Sequence, residues 1–144
     1  MKPNVGYYVQ TINDIVKYTE EIGETMHPYY EEIRQAIDRQ QLEQLAEERL
    51  TEIKNTFTEG TAKYEAMLKK VKALKPTPRV LGIHKKFERA YTDYVAGCQE
   101  MLAAIDPARG VDVNLFDRSE SKQDQATDEL SFAITRMSNI LLKK

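Results

Sequence analysis

The stretch VLGIHKKFERAYTDYVAGCQEMLAAI, residues 80–105, decides the fold. In it Val80, His84, Phe87, Tyr91, Tyr94, Cys98, Met101 and Ile105 recur at alternating spacings of four and three, and seven of the eight are apolar or aromatic. A turn of α-helix takes 3.6 residues, so this alternation returns every one of those side chains to the same side of the coil. A half-buried strand would instead repeat every second residue. The stretch therefore predicts one long amphipathic helix with a single buried seam.

Working outward, the same rhythm appears three more times. Upstream of Lys75-Pro76-Thr77-Pro78 it runs through Ala46, Leu50, Ile53, Phe57, Gly60, Tyr64, Met67, Val71 and Leu74. Before that it runs through Val5, Tyr8, Ile12, Ile15, Thr19, Ile22 and Met26. Downstream it runs through Ala126, Leu130, Ala133, Met137 and Ile140, widened by Ile134 and Leu141. Seams broadened in this way suit a closed bundle better than an open two-stranded coiled coil. The expected fold is all-α: an antiparallel, up-and-down bundle of about four long helices forming one domain over residues 1–144.

Three boundaries carry specific expectations. Two readings compete for the end of the first helix: Gly23 and Pro28 bracket a short loop, or the helix only kinks near Pro28 and reverses later. A helix running from Pro28 to Leu74 would be about 70 Å long, out of proportion to its neighbours, so a reversal around Asp38–Gln41 is preferred. Asp38 and Gln41 also have the spacing of a capping box. Asp117 and Glu120 share that spacing and are expected to open the last helix. Between Pro107 and Ser121, Val111, Val113 and Leu115 alternate with polar residues, which reads as a short extended loop across the end of the bundle.

Composition narrows the classes. Charged residues make up 31% of the 144 and hydrophobic residues 41%, the balance of a chain with a core rather than a disordered one. No apolar run approaches the ~20 residues that cross a bilayer, and the first residues have no signal-like apolar stretch. Cys98 is the single cysteine. It can form no internal disulfide, which favours the cytoplasm. No phosphate-cradling glycine loop, nucleophile elbow or zinc-spaced cysteine pair occurs, so neither enzyme activity nor a cofactor is expected.

Two histidines invite a metal reading. Glu24-Thr25-Met26-His27 has the Glu-x-x-His form that di-iron bundles use twice, but Leu81 stands where a second copy before His84 would need a carboxylate. His84 itself lies on the seam and is expected to bond a backbone carbonyl near the Pro76–Pro78 turn. Cys98 reads as an inert buried thiol, and the seam tyrosines as rings that pack with their hydroxyls wet.

Pro78, His84 and the pair Ala90-Tyr91, followed by an acidic turn and a capped last helix, resemble helical-bundle proteins of Gram-positive bacteria to which no function is assigned. The resemblance covers roughly the second half of the chain. Many of those proteins resemble lipoproteins with a lipobox cysteine near the start, which this chain lacks. It implies a bacterial helical bundle and no particular activity.

Charge is the remaining feature. Between residues 69 and 89 stand Lys69, Lys70, Lys72, Lys75, Arg79, Lys85, Lys86 and Arg89 against Glu88 alone, so this stretch carries +7 while the whole chain carries −2. An up-and-down bundle adds Lys143, Lys144 and Lys2 to that end. Asp106, Asp112, Asp117, Glu120, Asp124 and Asp128 are expected at the other. The first turn of the third helix is the telling place, because cations there oppose the positive helix terminus. Two functions follow as expectations. The first is a non-enzymatic interaction or scaffold module, acting with a protein partner or as a homo-oligomer. The second is an anion-binding protein whose basic pole touches an acidic protein, a nucleic acid or the surface of a membrane.

Overall fold

Four helices account for nearly all of residues 4–142, which the computed structural model describes. They are α1 (Val5–Asp38), α2 (Glu47–Ala73), α3 (Leu81–Ala104) and α4 (Val113–Leu142). α1 lies along α2, α2 along α3, and α3 along α4. α3 and α4 run antiparallel, with Lys86 against Phe132 near one end of the pair and Glu100 paired to Lys122 farther along. Lys2, Lys143 and Lys144 lie outside the described residues.

The first helix is longer than its proline predicts. α1 continues through Gly23 and Pro28 for 34 residues, so no loop forms there. A proline inside a helix forfeits one backbone bond and crowds the preceding turn. Here Pro28 is exposed, and the helix is anchored on both sides by buried Ile22, Ile33 and Ala36. Burial on either flank outweighs the local defect. Asn4 opens the helix by accepting a bond from the Tyr7 amide at 3.0 Å. At the other end Gln40 turns left-handed (φ 56°) and the Gln41 amide bonds back to the Ala36 carbonyl at 2.7 Å. The reversal thus falls where helix length required it. The Asp38–Gln41 capping box does not form, because α2 starts only at Glu47, after a single 3-10 turn over Leu42–Gln44.

The connection into α4 also differs from expectation. Ile105–Asp106 (β1) and Gly110–Val111 (β2) pair antiparallel as a minimal hairpin. The Asp106 carboxylate accepts from the Ala108 and Arg109 amides, and Gly110 supplies the positive φ of 110° that the turn requires. Lys54 on α2 donates to the Ile105 carbonyl at 2.7 Å. Val113 and Leu115, read as part of an extended run, are helical. Asp112 rather than Asp117 caps α4, its side chain accepting from the Leu115 amide at 3.1 Å. Asp117 and Glu120 lie inside the helix and hold Arg34 instead, at 2.9 and 3.0 Å.

The seams meet in the interior as their spacing requires. Seven of the eight α3 seam residues are buried and Tyr94 is half-buried. Val5 and Ala46, at the starts of their seams, are exposed. The core divides into two clusters. One, around Tyr8, Ile15, Val71, Val80, Phe87 and Met137, fills the end near the α2–α3 turn. The other, around Ile33, Ile53, Ile105 and Phe116, fills the end near the hairpin. Met26 packs against both.

His84 is the polar centre of the first cluster. It is 3% exposed, with Nε2 3.2 Å from the Val71 carbonyl and Nδ1 2.7 Å from the Tyr8 hydroxyl. A carbonyl can only accept, so Nε2–H donates to Val71 and the Tyr8 hydroxyl donates to Nδ1. The expected carbonyl partner exists, in the last turn of α2. This pattern fixes a neutral imidazole, and burial lowers its pKa below the ordinary 6.5. The unfolded chain takes up a proton near pH 6.5 while the folded chain resists it. The stability present above that pH is therefore lost as the pH falls from about 6.5 towards the depressed folded value. Denaturation at pH 7.5 and at pH 5.5 should show this loss, and His84→Gln should make the slope across that window shallower. An equal slope in the variant would assign the dependence to other groups.

Candidate binding groove between the first and last helices

A four-helix bundle normally closes by packing its last helix on its first. Here α1 and α4 touch at the two ends of their length and part between. At the hairpin end Tyr30 stacks on Phe116, with ring centres 6.0 Å apart and planes within 11°. The Arg34 guanidinium lies over the Phe116 ring as well, 5.2 Å from its centre, and binds Asp117, Glu120 and Asp38. At the opposite end the Tyr8 hydroxyl lies 3.8 Å from Met137 Sδ. Between these contacts run two open compartments of about 280 and 240 Å³.

The walls of the two compartments repeat. On α1 the first is lined by Gly23, Met26, His27 and Tyr30, the second by Val16, Thr19, Glu20 and Gly23. Each member of one set has its counterpart seven residues away in the other. On α4 the first takes Glu120, Gln123 and Asp124, the second Thr127, Leu130, Ser131 and Ile134. Here too the offset is seven for the first three. Seven residues are two helical turns, about 10.5 Å along the axis.

The floor is aromatic. Tyr64 and Tyr94 lie under both compartments, their rings edge to face at 5.0 Å and 81°. Tyr91 meets Tyr64 at 6.5 Å and Tyr94 at 6.4 Å, also edge to face. Wet hydroxyls are expected of the seam tyrosines, but Tyr64 and Tyr91 are fully buried and their hydroxyls are bonded inside the protein. Tyr94 donates to Tyr64 at 3.3 Å, and Tyr91 shares a 2.7 Å bond with Thr19. Burial weakens the Tyr94 and Cys98 side chains as acids, pushing their pKa values up to about 12, and raises those of Tyr64 and Tyr91 further still. At neutral pH the floor therefore carries neither phenolate nor thiolate, and its chemistry is that of packing.

Small residues keep the groove open. Gly23 borders both compartments, and a β-carbon there would lie 3.5 Å from the Tyr64 hydroxyl, an ordinary contact. Mid-helix glycine costs about 0.5–1 kcal/mol relative to alanine. Gly23→Ala should accordingly raise the unfolding free energy by about that amount, measured by urea denaturation. A loss of stability would mean that the space is needed by the fold itself.

The residues singled out for chemistry are scattered. Glu24 and His27 are exposed on α1, and His27 Nε2 is 3.8 Å from Glu31. His84 belongs to the other end of the core. Among the described residues no group of three or more His, Cys, Asp or Glu could hold a metal ion. The basic residues do gather: Lys69, Lys70, Lys72, Lys75, Lys85, Lys86 and Arg89 are all exposed around the α2–α3 turn. Arg79 is engaged, donating to the Ile140 carbonyl at the end of α4. Asp128 is not at the far end as expected. It shares a surface depression with Glu129, Lys86, Arg89 and Phe132, because α4 extends one turn further back than its predicted start and moves its acids along α3.

Sequence reasoning missed Phe116, Ser119 and Gln123, yet they continue the α4 seam backwards at alternating spacings of three and four from Ala126. The strand-like alternation of Val111, Val113 and Leu115 concealed them. An all-α bundle with an open seam between its first and last helices is the class that these features define. No protein-family model matches the chain, nor does any curated protein or solved structure. No helix among the described residues is long and apolar enough to cross a membrane.

Proposed function

We propose that the protein is a non-enzymatic interaction module that receives one amphipathic helix of a protein partner in the groove between α1 and α4. The seven-residue repeat of both walls carries the reading. A helix laid along the groove presents side chains at i and i+7 about 10.5 Å apart on one face, the spacing of the two compartments. Such seating is coiled-coil-like, with large apolar knobs entering holes formed by facing helices. The raised pKa values of the floor tyrosines and Cys98, which keep them protonated at neutral pH, support binding over catalysis. A cytoplasmic setting belongs to the same proposal, supported by the free, buried Cys98.

The test is a titration followed by NMR, using a peptide of about 15 residues with leucine at i, i+3, i+7 and glutamine elsewhere on the flanks. Amide shifts should move along Val16–Tyr30 and Glu120–Ile134, and Gly23→Leu should abolish them. Shifts elsewhere, or the same shifts in Gly23→Leu, would reject the groove as the site.

A second reading takes the basic pole as a site for anionic membrane surfaces. It is favoured by exposed Phe132, 5.9 Å from Lys86 Nζ, and by exposed Leu81 at the start of α3. Apolar side chains beside lysines are what an interfacial contact needs. Substituting Lys85, Lys86 and Arg89 together by glutamine should weaken binding to phosphatidylserine vesicles and flatten its salt dependence. Unchanged binding would dismiss it.

A further inference from the structure

We infer that the helix received in the α1–α4 groove is basic, carrying lysine or arginine beside its apolar anchors. This rests on the groove being the binding site and adds the chemistry of its partner. Among the described residues, those lining the two compartments include the carboxylates of Glu20, Glu120 and Asp124 and not a single lysine or arginine. His27 is the only cation-forming side chain among them.

The carboxylates are placed to act on a guest. Glu20 and Asp124 are exposed at the lips, Glu20 on α1 beside one compartment and Asp124 on α4 beside the other. A helix lying between them presents flanking residues to both lips while its leucine-like anchors point at Tyr64 and Tyr94. Glu120 sits deeper. Arg34 binds it through Nε and Nη2, but both bonds end on Oε1, so Oε2 remains available to an incoming donor. Arg34 itself stands at the hairpin end, held by Asp38, Asp117 and Glu120 and covering Phe116, so its charge is already matched before any guest arrives.

Desolvation makes this discrimination one-sided. An acidic flank brought to Glu20, Glu120 and Asp124 sets like charges together as water leaves, while a basic flank forms charge-assisted bonds with them. The apolar anchors supply affinity without sign; the lips supply the choice.

Three labelled peptides of about 15 residues, sharing the leucine anchors and carrying lysine, glutamine or glutamate on both flanks, separate these contributions by fluorescence anisotropy. The lysine peptide should bind at least tenfold more tightly than the glutamate peptide, and the gap should narrow as salt rises. Glu20→Gln with Asp124→Asn, both at exposed positions, should remove most of the gap by weakening the lysine peptide and tightening the glutamate peptide. Gly23→Leu should weaken the lysine peptide at least tenfold. Equal binding of lysine and glutamate peptides overturns the inference, while a glutamine peptide still sensitive to Gly23→Leu keeps the groove itself as the site. A gap that survives the double substitution, or lysine-peptide binding indifferent to Gly23→Leu, places the charge effect elsewhere and also overturns it. Sedimentation of the protein alone provides the last check. A dimer that Gly23→Leu dissolves would seat a second copy of the chain in the groove and overturn the assignment of a basic partner.

Discussion

Replacing Phe116 with alanine lowers the unfolding free energy by about 3–5 kcal/mol, the range for deleting a buried aromatic ring. Three features put Phe116 in that range. Its side chain is completely buried in the hairpin-end cluster. Tyr30 stacks on it across the α1–α4 seam, and Arg34 lies against it while binding Asp117 and Glu120. Removing the ring empties a core position and takes the surface from under the only ion-pair cluster joining α1 to α4 among the described residues. Guanidinium denaturation gives the magnitude, and loss of amide protection around Arg34 and Glu120 gives the mechanism. A cost below about 1 kcal/mol would mean that the site collapses around the gap and that the seam is not held there.

Gly97→Val is the second large effect, a destabilisation of about 1–3 kcal/mol from overpacking. Gly97 lies at a close approach of α3 to α4. A β-carbon on it would stand 2.8 Å from Gln123 Cγ and 3.4 Å from both the Gln123 amide nitrogen and the Ser119 carbonyl. The 2.8 Å approach is the clash, and Gln123 Cγ is too near its own backbone to swing clear freely; the two backbone atoms at 3.4 Å leave little room for the γ-carbons of valine. Gln123 also donates to the Gly97 carbonyl at 3.3 Å and lines the groove, so the substitution disturbs the α4 wall as well. Thermal unfolding of Gly97→Val beside Gly23→Ala makes the comparison sharp, since both change a mid-helix glycine yet should move the midpoint in opposite directions. The same sign for both would show that helix propensity, not helix approach, governs Gly97.

The fold was legible because burial repeats. Phe87, Tyr91, Cys98 and Met101 each sit where the seam of α3 put them, and so do Ile53, Tyr64 and Val71 on α2. Local signals misled where the tertiary structure outweighed them. Pro28 reads as a helix end, but the anchoring of Ile22 and Ile33 keeps α1 intact. Asp117 and Glu120 have capping-box spacing, yet Asp112 takes the cap and leaves them to Arg34, a residue 83 positions from Asp117. No spacing rule relates residues so distant. The groove was illegible for a different reason. It is a matter of width, set by where α1 and α4 are held apart, and a seam pattern records which face is buried and not how far away the opposite face lies. The spacing places Thr19, Ile22 and Met26 on the seam but carries no sign that Thr19 and Met26 border open space. The exposed lysines around the α2–α3 turn were fully legible, since charge and a turn place them without any packing argument.

The walls of the groove are the earliest and the latest of the four helices to leave the ribosome. Contacts within the α3–α4 hairpin join neighbours in sequence, whereas those closing Arg34 on Glu120 or Tyr8 on His84 span most of a hundred residues. Loops of that size close late, and segments docked through few contacts open first in the native ensemble. A nascent chain in which α4 has not yet emerged has only one wall of the groove, so a guest that needs both walls has to wait for the last of the four helices.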